Sequence, residues 1–109
     1  MPDREEIQKL ISEVDLSTLA KECLSIVPSS RLKNHEIELF IGAGMLDMVR
    51  QGIDVKNNIE NFLIQGAIMM FVKANFGMVD INEKKLAQET YMMLCGNLSL
   101  SAEFKIKEV

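Results

Sequence analysis

The segment GAIMMFV at positions 66–72 is apolar at every position, without the polar residues that a surface helix places on its outer face. A helix that is apolar on all sides has to be surrounded by other parts of the chain. The uncharged stretch around it, residues 61–72, is shorter than the roughly 20 residues that cross a bilayer. The sequence therefore predicts a buried central helix over about Asn58 to Asn75, with no membrane span. Its predicted core-facing residues are Ala67, Met70, Phe71 and Ala74.

Two short amphipathic helices are predicted before the central one, at the start of the chain. Asp3 and Glu6 have the spacing of a capping box, and apolar residues with helical spacing follow them. The apolar stripe changes phase near Asp15–Ser17, which predicts a break between the first and second helices. Pro28 is predicted to stop the second helix because proline cannot continue one.

A third helix is predicted over about residues 35–51. Asn34 is its expected N-cap, and Gly52 is expected to take a left-handed conformation after its end. Gly42 and Gly44 inside it each cost about 1 kcal/mol relative to Ala. We expect another helix to pack closely against that side, since the sequence around these glycines lacks the strand and further glycines of a phosphate-binding loop.

The central helix and a fifth helix carry their own capping signals. Asn57 and Glu60 predict a capping box at the start of the central helix, and Asp80 and Glu83 predict another at the start of the fifth. Gly96 is expected to end the fifth helix. The resulting prediction is an all-α fold, a small bundle of four to five short helices in one domain over residues 1–109.

Residues 97–109 form a C-terminal arm that is open to two interpretations. Apolar residues alternate with polar ones at Leu98, Leu100, Ala102, Phe104 and Ile106, which is the period of a strand. A single strand needs an edge, supplied by a segment such as Ile53–Val55, by a neighbouring subunit or by another protein. In the alternative interpretation, Leu98 and Leu100 finish the fifth helix and the last residues fray.

The chain lacks the residue patterns that catalysis and metal binding need. Its one histidine, His35, is expected to be a solvated residue in the first turn of a helix, with Glu36 as its only adjacent titratable neighbour. No metalloprotease, serine-hydrolase or nucleotide-loop motif is present in the sequence. We therefore predict that the protein is not an enzyme, with no catalytic, cofactor-binding or metal-binding residues and no cofactor.

The net charge and the spacing of the cysteines narrow the functional classes that remain for this chain. Twelve Lys and Arg residues against sixteen Asp and Glu residues give a net charge of -4, which disfavours binding driven by phosphate neutralisation. Cys23 and Cys95 belong to no metal or redox spacing and are expected to be small buried residues. The N-terminal residues do not have the basic start and apolar run of a signal peptide, so a cytoplasmic chain is expected.

Eight methionines are unusual for a chain of 109 residues. Most are expected to fill the core, because the flexible methionine side chain packs adaptively. Met69, Met70, Met92 and Met93 exceed what one face of each helix can bury in a monomer of this size. Some of them are therefore expected in an interface between subunits.

Two phrases resemble a known protein family. AIMMFVKANFG at residues 67–77 and YMMLCGNLSLSAEF at residues 91–104 are similar to sequences in the head-tail connector proteins of tailed bacteriophages and prophages, also called head-completion or DNA-packaging proteins. Lys73–Gly77 matches the first phrase of that family. The second is matched by Tyr91, Leu94, Leu98, Leu100, Ser101, Glu103 and Phe104.

The resemblance extends to about residues 19–104. LAKECLSI at residues 19–26 and NHEIELFI at residues 34–41 look like the first two helices of the family, and Gly52 looks like the turn after the second. Residues 1–16 look like an added N-terminal helix. Met78 and Val79 depart from the family, which has aromatic, Asn or Pro residues after the first phrase.

The resemblance implies a structural role in virion assembly. Such proteins form a homo-oligomeric ring under the portal protein, extend the DNA channel, and dock stopper or tail-completion proteins. The implied partners are the portal, the stopper and copies of the chain itself, with DNA only as passing cargo and no membrane. The implied location is the host cytoplasm during assembly and then the neck of the virion.

Six residues are the predicted protein-interface site. They are apolar and belong either to the methionine excess or to the arm, which is expected to add to a sheet edge of the portal or of an adjacent subunit; they are Met92, Met93, Leu98, Leu100, Phe104 and Ile106. Phe104 is expected to be the main anchor because an aromatic side chain buries the largest area. The alternative function is a small helical regulatory or nucleic-acid-binding module, since five short helices can contain a helix-turn-helix.

Overall fold

The structure, a computed structural model, describes residues 2–26 and 33–107. Over these two ranges the chain forms five α-helices and one short 3₁₀ helix, with no strand. The helices are α1 (Arg4–Glu13), α2 (Leu16–Cys23), α3 (Asn34–Arg50), α4 (Phe62–Asn75) and α5 (Ile81–Leu100), and the 3₁₀ helix is Lys56–Asn58. The predicted all-α bundle is confirmed.

Helices α1 and α2 begin where the sequence predicts. The Asp3 carboxylate accepts a hydrogen bond from the Glu6 backbone N–H at 2.9 Å, which caps α1. Asp15 lies between the two helices with a left-handed backbone, φ +48°, and its carboxylate caps α2. The predicted break is therefore confirmed. Helix α2 ends at Cys23, and Pro28, the predicted stop, lies outside the described residues.

Helix α3 begins one residue earlier than expected, so Asn34 is its first helical residue and not its N-cap. Its C-terminal end follows the prediction, because Gly52 has φ +86°. The close packing expected at the two glycines is present. A Cβ on Gly42 would lie 3.3 Å from Ile7 of α1, and one on Gly44 would lie 3.0 Å from the ring of Phe71 on α4.

Helix α4 begins later than the sequence predicts. The Asp54 carboxylate accepts a hydrogen bond from the Asn57 backbone N–H of the 3₁₀ helix at 3.2 Å, and Asn61 caps α4 by accepting from the Leu63 N–H at 2.8 Å. The predicted Asn57–Glu60 capping box is therefore wrong. The buried side chain of Ile59 and the extended backbone of Asn61 turn the chain between the two helices.

The buried face of α4 is turned by about one residue, roughly 100°, from the predicted one. Among the four predicted core residues only Ala67 is buried, while Met70, Phe71 and Ala74 are half-buried. The buried residues of α4 are Ile64, Ala67, Ile68, Met69 and Val72. Helix α4 packs against α2, α3 and α5, which confirms its central position.

Helix α5 passes through Gly96 and ends at Leu100, so the predicted end at Gly96 is wrong. The cap at Asp80 is confirmed, although its carboxylate accepts from the Asn82 N–H at 3.0 Å. Leu98 lies on the same face as Tyr91 and Cys95 and is buried with them. Packing of Leu98 therefore continues the helix beyond the glycine.

The arm after α5 folds back onto its own chain. Ile53 and Lys105 form an isolated antiparallel β-bridge, with the Asp54 N–H donating to the Phe104 carbonyl at 2.7 Å and the Ile106 N–H donating to the Gly52 carbonyl at 2.9 Å. The interpretation in which Leu98 and Leu100 finish the fifth helix is confirmed, so the predicted strand over residues 98–106 is wrong for that part. The Ile53–Val55 segment does supply the edge, so residues 104–106 are paired instead of frayed.

Candidate interaction surface

Helix α5 is apolar on two sides. Its inner face buries Ala87, Tyr91, Cys95 and Leu98. Five large apolar side chains on the other side are each at least 60% exposed, and we call them the outer face of α5: Ile81, Leu86, Met92, Met93 and Leu100. The helical period of 3.6 residues brings these positions to one side of the helix.

Polar residues and a glycine complete the outer face of α5. Lys85 and Glu89 are exposed and lie one turn apart between Ile81 and Met92. Gly96 lies one turn after Met92, and a Cβ added there would have no atom of the chain within 4 Å. The outer face therefore has a notch in a row of large side chains, and nothing in the described part of the chain fills it.

The structure divides the six predicted interface residues into two groups. Met92, Met93 and Leu100 lie on the outer face of α5, and Ile106 is 43% exposed. Leu98 and Phe104 are 3% and 6% exposed, so their expected place on the surface is wrong. They are buried because the helix continues through Leu98 and because the arm folds back and inserts Phe104 into the chain's own core.

Sequence reasoning missed Ile81 and Leu86 as members of this surface. Ile81 is 78% exposed and Leu86 is 64% exposed. The available signal was the number of apolar positions in the fifth helix, which is larger than one helix face can hold. Ile81 and Leu86 lie outside the buried face that Ala87 and Tyr91 define.

A groove between α1 and α3 is the second surface of interest. It has a volume of about 480 Å³ and is lined by apolar side chains that include Ile7, Ile11, Leu39 and Leu46. Arg4 and Glu38 also line it. Leu39 is 61% exposed although it lies in the middle of this apolar lining.

The most perturbed titratable groups lie behind the outer face of α5. The Tyr91 hydroxyl donates to the Asp47 carboxylate, which also accepts from the side-chain amide of Gln51 at 3.0 Å. Burial and then the bond to Asp47 raise the pKa of Tyr91 well above its usual range, and burial raises the pKa of the Cys95 thiol. Both groups are held protonated, whereas an activated nucleophile needs a lowered pKa.

The described residues contain neither a metal-binding cluster nor a membrane-spanning helix. Within residues 2–26 and 33–107, no three His, Cys, Asp or Glu side chains are grouped so that they could hold a metal ion. None of the helices formed by these residues has the length and apolar character needed to cross a membrane. His35 is exposed near the start of α3, as the sequence predicts.

The two phrases that resemble the connector family form a single hairpin. Lys73–Asn75 are the last residues of α4, and Phe76 follows as the C-cap, with its side chain buried and its N–H donating to the Val72 carbonyl at 2.9 Å. Residues 91–104 form the second half of α5 and the turn that follows it. The chain matches no protein-family model, no curated protein and no solved structure.

Proposed function

We propose that the protein is a structural adaptor of a phage or prophage neck. Copies form a ring under the portal protein, extend the DNA channel and dock stopper or tail-completion proteins. The observation that carries the proposal is the outer face of α5, a row of exposed apolar side chains on a small helical bundle. Exposed apolar surface of this kind on a small domain indicates a protein partner.

The position of this face in the chain supports the same function. Met92, Met93 and Leu100 belong to the second phrase that resembles the connector family, and α5 is the longest helix of those described. An exposed apolar face in a part of the chain that does not resemble the connector family would support the proposed function less. Assembly takes place in the host cytoplasm, and the finished ring is part of the virion neck.

The charge of the chain suits a channel that passes DNA without binding it. With a net charge of -4, the protein has more carboxylates than basic side chains. Each Lys or Arg in a DNA channel adds a salt-dependent contact with phosphate. An acidic ring gives few such contacts, so DNA is cargo in this proposal and not a ligand.

The test is association with a portal protein from the same genome. Size-exclusion chromatography with light scattering of the mixture should show the protein bound to the portal as a multiple of its own mass. A portal from an unrelated phage is the control. A chain that never associates with its own portal contradicts the proposal. Binding to duplex DNA that persists at moderate salt supports the alternative, a helical nucleic-acid-binding module.

A further inference from the structure

The outer face of α5 and the α1–α3 groove are separate surfaces of the same chain. Helix α5 packs mainly against α4, whereas α1 packs against α2 and α3. No residue belongs to both surfaces. Neither is covered by the described residues, so one molecule offers both a row of apolar side chains and an apolar groove.

The groove has a direction that the contacts of α1 define. Ile7 lies against Gly42 at its middle, and Glu38 accepts a hydrogen bond at 3.5 Å from Ser17, which follows the C-terminal end of α1. Helices α1 and α3 are therefore antiparallel. Glu38 lies towards one end of the groove, with His35 one turn beyond it, and Arg4 lies towards the other end.

The size of the groove fits side chains of the outer face of α5. An apolar cavity of about 150 Å³ holds one benzene-sized group. The groove, at about 480 Å³, has room for about three such groups. Met92 and Met93 suit it because unbranched methionine side chains adapt to irregular apolar surfaces.

The charges of the two surfaces are complementary in one orientation. The outer face of α5 carries Lys85 and Glu89, and the groove carries Glu38 towards one end and Arg4 towards the other. When Lys85 is placed towards Glu38, Glu89 points towards Arg4, and both pairs join opposite charges. Lys85 and Glu89 lie in the middle of the outer face, so both pairs lie within the contact, where the reverse orientation would bring like charges together at a cost.

We propose that the outer face of α5 of one copy docks in the α1–α3 groove of the next copy. The two surfaces differ, so the contact is head-to-tail, and repetition produces a ring or an open filament. The proposal adds a specific contact between subunits to the proposed function. It rests on that function only for the closure of the ring. The contact itself is argued from the residues of the two surfaces.

Two variants that each remove one surface test the proposal. Met93→Asp places a carboxylate on the outer face of α5, and Leu39→Asp places one in the groove. Both positions are exposed, so the fold should be retained, which circular dichroism checks. Met78→Asp is the matched control, because Met78 is 74% exposed but lies outside both surfaces.

Light scattering over a range of concentrations gives the result. The wild-type chain and the Met78→Asp control should self-associate, while each test variant alone should dissociate with a dissociation constant raised at least about tenfold. A mixture of the two test variants should form 1:1 pairs, because the intact groove of one receives the intact α5 of the other. Lys85→Glu should weaken association, and adding Glu38→Lys should restore it.

Three outcomes would overturn the proposal. The first is Leu39→Asp associating as well as the wild type, since α5 would then pair with something other than the groove. The second is folded test variants that do not pair when mixed. The third is a wild-type chain that stays monomeric at millimolar concentration. Portal capture is measured separately, so a monomer that still binds the portal contradicts this contact and leaves the proposed function standing.

Discussion

The Tyr91 hydroxyl on α5 donates a hydrogen bond of 2.5 Å to the Asp47 carboxylate on α3. The ring of the same tyrosine packs edge-on against Phe71 of α4, with 5.2 Å between ring centroids. One side chain therefore links three helices. It also fixes the rotation of α5, and so determines which residues of that helix face outward.

Removing the Tyr91 hydroxyl should destabilise the fold while leaving the contact between its aromatic ring and Phe71 in place. A hydrogen bond to a charged group contributes about 1.5 to 3 kcal/mol, so Tyr91→Phe should lower the free energy of unfolding by about that amount. Urea denaturation measures it. Gln51→Ala is the control, because exposed Gln51 donates to the same carboxylate and its loss should cost less than about 1 kcal/mol. Equal effects of the two substitutions would contradict the importance of the Tyr91 bond.

The raised pKa of Tyr91 predicts a loss of stability in alkaline solution. The folded state favours the protonated hydroxyl, so its contribution is fully present below the unfolded pKa of about 10 and decreases as the pH rises above that value. The difference in unfolding free energy between the wild type and Tyr91→Phe should therefore shrink above about pH 10. Because Tyr91 is the only tyrosine, tyrosinate absorbance should appear together with unfolding. Parallel stability curves for the two proteins would argue against this linkage.

Two glycines in helices should respond to alanine with opposite signs. A Cβ on Gly44 would lie 3.0 to 3.2 Å from three atoms of Phe71, including its Cβ, which cannot swing away. Overpacking costs about 1 to 3 kcal/mol, so Gly44→Ala should be destabilising although alanine has a better helix propensity than glycine. Gly96→Ala meets no atom and should stabilise the monomer by about 1 kcal/mol. Thermal unfolding at low protein concentration measures both, and a destabilising Gly96→Ala would be the unexpected result.

Phe104 should matter for the stability of the chain itself. Its side chain is 6% exposed and belongs to the hydrophobic core, so Phe104→Ala should cost about 3 to 5 kcal/mol. Ile106→Ala is the control in the same arm, because Ile106 is 43% exposed and should lose much less. Denaturant titration of both variants checks the difference. Similar midpoints for Phe104→Ala and the wild type would show that the arm does not contribute to the core.

Features set by a few neighbouring residues were predictable from the sequence. The caps at Asp3 and Asp80 depend on one carboxylate and the N–H groups two or three residues later, and Gly52 depends on its own freedom to adopt positive φ. Each is encoded locally. Of the four methionines that were counted as an excess, Met92 and Met93 are exposed, whereas Met69 is buried and Met70 is half-buried.

Features set by tertiary packing were not predictable in the same way. The alternating pattern after Gly96 is compatible with a strand, and only the burial of Leu98 against its neighbours shows that α5 continues. Asn57 and Asn61 both have sequences that suit a cap, and the burial of Ile59 decides between them. The α1–α3 groove requires knowing that α1 lies beside α3, which no local pattern contains.

The bridge between Ile53 and Lys105 has a consequence for the order of folding. Helices α4 and α5 are joined by residues 76–80 alone, so their contacts close a short loop and cost little chain entropy. The bridge joins positions that are far apart in sequence and needs α3, α4 and α5 already in place. It should therefore form last and open first, with the amides of Asp54 and Ile106 exchanging with solvent before those of α4.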